Sequence, residues 1–352
     1  MDQASNHSIS RTTVYEGSTQ YRHWRFSPEQ LAETRASLNT AAVAAIREAF
    51  EADSPGSSSQ VSFLNADEEN LLVKLYIGKV PQLCGHLHFA EEVEATAITY
   101  LKRFYLKNTV MDWHPKNVML TALFLATKTT NNPISLELYT SRIPKTAPSD
   151  VLDLEFLVAQ SLGFDLAAWH AHRALWGLWL DMQNLPDVLI DDLRKAYDDG
   201  IAHVRASRLT DAELIYTPSQ IALACFDLAS PHLARAWIRS KQTSPPASPP
   251  VSEEDPMLAI LKPIQIMITN QGQLPEVESV REVDRRLKLC KNPEKVVGSN
   301  AYNKRLEEKQ RKADEKRKRK AELVRKAMAA GDPFGSELAE KGDLDDDDDD
   351  DD

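Results

Sequence analysis

Few side chains in these 352 residues are spaced to do chemistry. His86 and His88, like His170 and His172, stand two apart. On a helix that spacing turns the rings to different faces, so neither pair is set to share a metal ion. Cys84, Cys225 and Cys290 are far apart and odd in number. They point to a reducing compartment, with each thiol a small core residue and no disulfide. No glycine-rich phosphate loop, G-x-S-x-G turn, CxxC pair or HExxH motif occurs. Carboxylates are abundant, but no pattern marks two of them as an acid–base couple. The sequence argues against an enzyme, and no cofactor or metal is expected. One charge does stand at a special place: Lys128, at the point where a long apolar stretch ends.

That stretch begins at His114-Pro115 and is apolar or small from Val118 to Ala126. Proline suits a first helical position, where its missing N–H costs nothing. The run is too short to cross a bilayer. It reads as the central rod of a bundle, a helix with almost no solvated face. A second copy starts at Thr217-Pro218, 103 residues further on. Counted from the prolines, Val118 matches Ile221, Leu120 matches Leu223, Leu125 matches Leu228 and Ala126 matches Ala229. A repeat of that length is a duplicated domain. At the position of Lys128 the second copy has Pro231. The two copies share their packing residues but differ in surface chemistry.

Hydrophobic residues make up 42% of the chain and aromatics 7%, which suits a globular centre with polar extensions. The first twenty residues lack the apolar core of a signal peptide, and the chain up to Thr19 is expected to be mobile. Ser27, Pro28 and Gln30 form a capping box ahead of a helix over 28–50. Tyr21, Trp24 and Phe26 just before it are either a staple on that helix or a segment docked on the globular body. Residues 53–60 read as a linker. Helical spacing recurs over 67–79, 90–106, 115–128, 134–140 and 148–162, with breaks near Gly78, Gly85, Asn108, Asn131 and Gly163. It recurs over 170–183, 186–201, 218–230, 233–238 and 256–269, with a proline- and serine-rich loop over 243–254. A charged helix over 275–290 and a highly charged one over 303–329 follow. Few stretches alternate as strands do, so the fold class is all-α. The expected organisation is an N-terminal extension with one helix (1–60), a first five-helix repeat (61–166) and a second (167–270). A C-terminal helix (271–292) and a charged tail (293–352) complete it. The net charge of −11 is unevenly placed. Between Lys304 and Lys326 there are twelve Lys or Arg against five Asp or Glu, and 345–352 is eight consecutive aspartates. Such a run cannot pack and stays solvated.

The segment Ala122-Leu123-Phe124-Leu125-Ala126-Thr127-Lys128, with Leu154-Glu155-Phe156-Leu157 and Leu162-Gly163-Phe164-Asp165-Leu166, resembles the cyclin box. In that family the third helix ends in a lysine and the fifth carries a glutamate, and the two contact the kinase. By position these are Lys128 and Glu155, with Phe124 and Phe156 as apolar neighbours able to add contact area. Four further segments resemble the cyclins that serve the kinase module of general transcription factor IIH. They are Tyr21-Arg22-His23-Trp24-Arg25-Phe26, Lys102-Arg103-Phe104-Tyr105-Leu106, Met111-Asp112-Trp113-His114-Pro115 and Leu214-Ile215-Tyr216-Thr217-Pro218-Ser219-Gln220. The resemblance spans roughly Tyr21 to Ile238, and the sequence after Glu254 diverges. It implies two tandem cyclin boxes and a nuclear, non-catalytic activator of a cyclin-dependent kinase. It further implies a RING-finger assembly factor and the core of transcription factor IIH as partners, and the RNA polymerase II C-terminal repeats and other cyclin-dependent kinases as substrates of the kinase.

The basic run Lys316-Arg317-Lys318-Arg319-Lys320 reads as a nuclear-import signal, a nucleic-acid contact or a solvated helix with Glu–Lys pairs at spacing four. Direct nucleic-acid binding is not expected, because the nearby aspartates compete for the same cations. No membrane association is expected. The rival from another class is a promoter-binding protein of the transcription factor IIB type, with the same duplicated fold. It would carry an N-terminal zinc ribbon with paired CxxC motifs and a strongly basic core, and neither is seen here. Cell-cycle cyclins that recruit substrates carry Met-Arg-x-Ile-Leu on the first helix and a Trp soon after. The aligned residues here are Asn70-Leu71-Leu72-Val73-Lys74, with Ile77 at the Trp position. No recruitment of that kind is expected. Leu71→Arg should not create motif-dependent binding in a peptide pull-down, and binding of such motifs by the native protein would contradict this reading.

Overall fold

The computed structural model describes residues 13–186, 188–241 and 256–329; the loop expected over 243–254 and the aspartates 345–352 lie outside them. Helices α1 (Thr19–His23) and α2 (Pro28–Asp53) come first. Then follow α3 (Ala66–Ile77), α4 (Val80–Leu87), α5 (Glu91–Phe104), α6 (Pro115–Thr129), α7 (Leu136–Ser141), α8 (Ser149–Leu152) and α9 (Glu155–Ser161). The second repeat holds α10 (Ala171–Met182), α11 (Ile190–Ser207), α12 (Ala212–Ile215), α13 (Pro218–Ala229), α14 (Pro231–Lys241) and α15 (Pro256–Gln271). Helices α16 (Val277–Cys290) and α17 (Asn300–Ala329) close the series, and no strand forms among the described residues. The chain divides into two compact units, residues 1–45 with 61–290, and 46–60 with 291–352.

In the first unit each repeat is built around a rod. Pro115 opens α6, and the His114 ring accepts from the Lys116 N–H at 3.1 Å. Every residue of α6 from Val118 to Thr127 is buried, against α5, α3, α8 and α9. Each fully buried Leu or Val there stabilises by about 1.5–3 kcal/mol. Its hydroxyls are satisfied: Thr121 Oγ1 donates to Val151 O at 3.1 Å, and Thr127 Oγ1 to Phe124 O at 2.7 Å. Pro218 opens α13, capped by a Thr217–Gln220 box, and α13 is surrounded by α10, α11, α14 and α15. The duplicated rods expected from the proline spacing are both present.

Some boundaries differ from the sequence reading. The stretch 148–162 is two helices, because the chain turns at Asp153 and Leu154 before α9 begins. Gly85, read from the sequence as a break, lies inside α4, a helix that was not anticipated. Helix α11 starts at Ile190, four residues after Pro186, and short α12 was not anticipated. The expectation of a mobile chain up to Thr19 fails from Thr13 onward. Ser18 caps α1, and the Tyr15 ring packs edge-on against Tyr21 and Trp169, with centroids 5.7 and 6.1 Å away.

Of the two readings of Tyr21, Trp24 and Phe26, docking is the one observed. Trp24 is 3% exposed, in a cluster with Leu31, Leu106, Leu214 and Ile215. Its indole donates to Asp165 at 3.1 Å, Arg25 donates to Ile215 O at 3.0 Å, and the Phe26 N–H donates to Leu214 O at 2.8 Å. Gln20 bonds the Trp169 backbone both ways, at 2.6 and 3.2 Å. The segment thereby ties one repeat to the other.

The repeats also meet through charge. Buried Arg208 sits 2.7 Å from Glu91 and 2.6 Å from Glu94. Burial works to raise the Glu91 carboxyl, but Arg205 and Arg208 overcome it and hold it at about 2. Lys102 lies 2.7 Å from Glu213, and Arg35 of α2 ties the N-terminal extension to Asp211 of the second repeat through two bonds of 2.7 Å. His170 and His172, expected on different faces, instead stack with centroids 5.5 Å apart. The reason is that His170 is the extended N-cap residue of α10. Their nitrogens go to Thr96 at 2.9 Å and Glu92 at 3.0 Å, and among the described residues no His, Cys, Asp or Glu cluster has metal-binding geometry. All three cysteines are free and buried, and burial pushes the Cys84 thiol up to about 12.

Helix α16 lies against α3, where Arg286 binds Glu68 and donates to Phe63 O at 2.9 Å. In the second unit, the expected linker is organised around Glu51, which accepts from the Gly56 N–H at 2.6 Å and from Ser58. Helix α17 begins three residues before the expected start, because the Ser299 hydroxyl accepts from the Tyr302 N–H at 3.0 Å. The Ala301 N–H donates to Asp53 at 2.9 Å.

His170 supplies a pH test. Burial pushes its pKa down to about 4, against about 6.5 when unfolded. The unfolded chain therefore binds the extra proton first as pH falls. The contribution is full above pH 6.5 and is lost progressively toward pH 4, about 3 kcal/mol in all. Urea midpoints of the native chain should fall across that window, and those of His170→Gln should fall less.

Candidate functional site

Helix α6 ends where its rod emerges. The Thr130 N–H closes on Ala126 O at 3.0 Å, and Asn131 takes the left-handed conformation, φ 59°, that asparagine tolerates. Lys128 lies in that last turn, at the negative end of the helix dipole. Glu155 opens α9, at the positive end of its dipole. Each charge is thus locally favoured, and α9 packs against α6 so that the two face each other. Lys128 Nζ lies 2.5 Å from Glu155 Oε1, with the lysine side chain 42% exposed and the glutamate 22%.

The four residues expected at this site fall into two layers. Phe124 is buried, tilted against Tyr139 at 5.3 Å, and its ring lies 4.4 Å beneath Lys128 Nζ. It supports the ammonium by a cation–π contact and offers a partner no surface of its own, which corrects the expectation that it adds contact area. Phe156 is 69% exposed. Beside it lies Phe164, 58% exposed and 6.2 Å away edge-to-face, a residue the site expectation left out. The signal for it was Gly163. Gly163 and Phe164 both take left-handed backbone, φ 60° and 58°, and the Phe164 N–H returns to Ala159 O at 3.0 Å. That turn ends α9 and swings the second ring up beside the first.

The result is a paired cation and anion, with two solvent-facing rings carried by the same helix α9 and the turn that ends it. An exposed ion pair contributes only about 0–1 kcal/mol, so opening it costs little. Either partner can then bind a backbone carbonyl or N–H, a charge-assisted bond of about 1.5–3 kcal/mol. The second repeat has no counterpart, since Pro231 fills the equivalent position and begins α14. The basic run Lys316, Arg317, Lys318, Arg319 and Lys320 lies on α17, exposed throughout, in the other compact unit.

The chain belongs to the cyclin family. The family model for the cyclin N-terminal domain matches residues 73–167, and that for the cyclin C-terminal domain matches residues 170–269. Within the family, the chain is similar to cyclin mcs2 of Schizosaccharomyces pombe, 31% identical over 84% of this chain and 90% of the relative. It is similar to cyclin-H1-1 of Arabidopsis thaliana, 30% identical over 78% of this chain and 88% of that one. Among solved structures it is similar to a chain of the CAK complex of Chaetomium thermophilum bound to ATP-gamma-S, with a TM-score of 0.73 and 30% identity. That match covers 84% of this chain and 94% of the other. A chain of the yeast TFIIK complex, Kin28/Ccl1/Tfb3, matches with a TM-score of 0.60 and 31% identity, covering 72% and 100%.

The two layers should separate in stability measurements. Lys128→Ala, Glu155→Ala and Phe156→Ser should each shift the unfolding free energy by less than about 1 kcal/mol. Phe124→Ala should cost about 3–5 kcal/mol. Urea titrations followed by far-UV circular dichroism provide the check.

Proposed function

We propose that this chain is the non-catalytic regulatory subunit of a nuclear cyclin-dependent kinase in a module of the transcription factor IIH type. The observation that carries the reading is the Lys128–Glu155 pair, 2.5 Å apart and flanked by exposed Phe156, on a family member similar to chains of CAK and TFIIK complexes. A kinase is active when its regulatory helix is held inward, so that a Lys–Glu pair can position the ATP phosphates. A rigid bundle achieves this only by binding the inward state better than the outward one. Lys128 gives hydrogen bonds to backbone carbonyls of the kinase element, Glu155 accepts from its backbone N–H groups, and Phe156 adds apolar area.

On this reading the two repeats, 61–166 and 167–270, divide the work. The first grips the kinase, and the second completes the fold and presents surface to a RING-finger assembly factor, as Tfb3 accompanies Kin28 and Ccl1 in the yeast complex. The assembly works with the core of transcription factor IIH. The activated kinase phosphorylates the RNA polymerase II C-terminal repeats and other cyclin-dependent kinases.

The test is reconstitution with the kinase subunit and turnover of a polymerase-tail peptide. Lys128→Glu combined with Glu155→Lys keeps the internal ion pair with its polarity reversed. Helicity should be unchanged and the unfolding free energy should fall by only about 1–2 kcal/mol, from the reversed helix-dipole terms and the lost cation–π contact, while activation falls at least about tenfold, as the loss of bonds of about 1.5–3 kcal/mol each requires. Normal activation by the double variant would reject the site. No change in kinase turnover on adding the native chain would reject the function.

A further inference from the structure

A groove of about 340 Å³ opens on the first repeat, between α4, the N-terminal half of α6 and the turn after α7. Leu83, Met119, Leu120 and Ile143 give it an apolar floor. Lys79, His86 and Lys116 also line it, the first two exposed and the third partly so. Lys79 Nζ lies over the Tyr76 ring, 4.6 Å from its centroid. No carboxylate lines the groove. The stretches that build it, 70–90, 113–136 and 138–149, hold no Asp or Glu, in a chain with 53 of them. Asp112 stands four residues before Lys116 but ahead of α6, and among the described residues no ion pair forms at Lys79, His86 or Lys116. Asp284 of α16, the carboxylate felt at Tyr76, is engaged by His114 at 3.5 Å and by Lys288 at 3.2 Å.

The two lysines stand where helices disfavour them. Helices α3 and α5 each carry three carboxylates in the first turn, where the helix dipole favours an anion. Helices α4 and α6 carry none there. Lys79 is instead the N-cap residue of α4, with no side-chain capping bond, and Lys116 lies in the first turn of α6. Two cations and two helix N-termini therefore give the groove charge of one sign, at a local cost that the fold itself does not require.

We infer that this groove docks an acidic segment of a partner protein, an aliphatic or aromatic residue flanked by aspartates and glutamates. The floor takes the apolar side chain, and carboxylates on either side of it meet Lys79, Lys116 and an N–H of His86. Charge complementarity selects this occupant. A phosphorylated side chain is matched best by the planar fork of arginine, and no arginine lines the groove. A nucleic-acid strand would set its phosphates against an apolar floor. Exposed ion pairs contribute little singly, so binding requires the anchor and the charges together. The groove gives the chain a point of attachment separate from Lys128 and Glu155, and the inference is independent of the kinase reading.

Fluorescence anisotropy of the full chain with a labelled peptide tests it. The probe is Gly-Asp-Glu-Asp-Leu-Phe-Asp-Glu-Asp-Gly at about 0.05 M salt, where screening is weak. Binding should be saturable. Replacing Leu-Phe by Ser-Ser, or every Asp and Glu by Asn and Gln, should weaken it at least about tenfold. Lys79→Glu combined with Lys116→Glu should do the same. Carboxylates suit both of those helix starts, so the unfolding midpoint of this variant should not fall. Ile143→Glu, in the floor, is a second variant and should also weaken binding. Arg235→Glu with Arg239→Glu, both exposed on α14, should leave the affinity unchanged. Absence of saturable binding, equal binding of the serine or amide peptide, or normal binding by the groove variants would overturn the inference. So would an equal loss in the α14 variant, or tighter binding of a peptide carrying one phosphoserine in place of the acidic residues.

Discussion

Burial of α6 around its whole circumference is the constraint on which the first repeat depends. With every residue from Val118 to Thr127 enclosed, the helix cannot rotate or slide without opening a void. Voids in such cores cost about 24 cal/mol per Å³. The direction in which Lys128 leaves the rod is therefore fixed by ten residues that never touch solvent. Glu155 is fixed by the same means, because α9 rests on α6 and its buried Val158 holds the register. A flexible lysine and a glutamate thus become a preorganised pair, and a partner that binds them does not have to order them first.

The contact between the repeats obeys a different rule. Arg208 with Glu91 and Glu94, and Lys102 with Glu213, are charges taken wholly or partly out of water. Pairs of this kind add little net stability, because desolvation cancels much of the attraction. Removing one partner is costly all the same, since the other is left buried and unpaired. Their effect is to make one relative orientation of the repeats far better than its neighbours. Apolar packing within each repeat supplies the cohesion, and the ionic contacts select the alignment.

The rods were legible because their cause is local. A proline at the first helical position and a run of enclosed residues, Val118–Thr127 in α6 and Ile221–Phe226 in α13, leave a similar imprint at 115 and at 218. Lys128 was legible for the same reason, as the first charge after the run. The limits of local reading show at His170 and Phe164. His170 stands in extended backbone just before α10, so a rule that assumes a helix misplaces its ring. Phe164 depends on left-handed backbone at two successive residues, which Gly163 suggests and nothing announces for a phenylalanine. Phe124 was misjudged because position on a helix gives a face but not what covers it, and Tyr139 covers this one. Helix α4 was missed because Gly85 was read as a break, and a glycine is tolerated inside this short helix.

The clasp formed by residues 20–26 bears on how the molecule is made. Arg25 finds its acceptor on Ile215, 190 positions later in the chain. At a synthesis rate of about 5–20 residues per second, Trp24 leaves the ribosome some 10–40 s before α12 exists to receive it. Through that interval Trp24 has Leu31, Leu106 and Asp165 to rest on, but Arg25 and the Phe26 N–H have no acceptor. The nascent protein must therefore fold its earlier half with the leading segment only half fastened, and its final closure onto residues 214–215 is a late event in biogenesis.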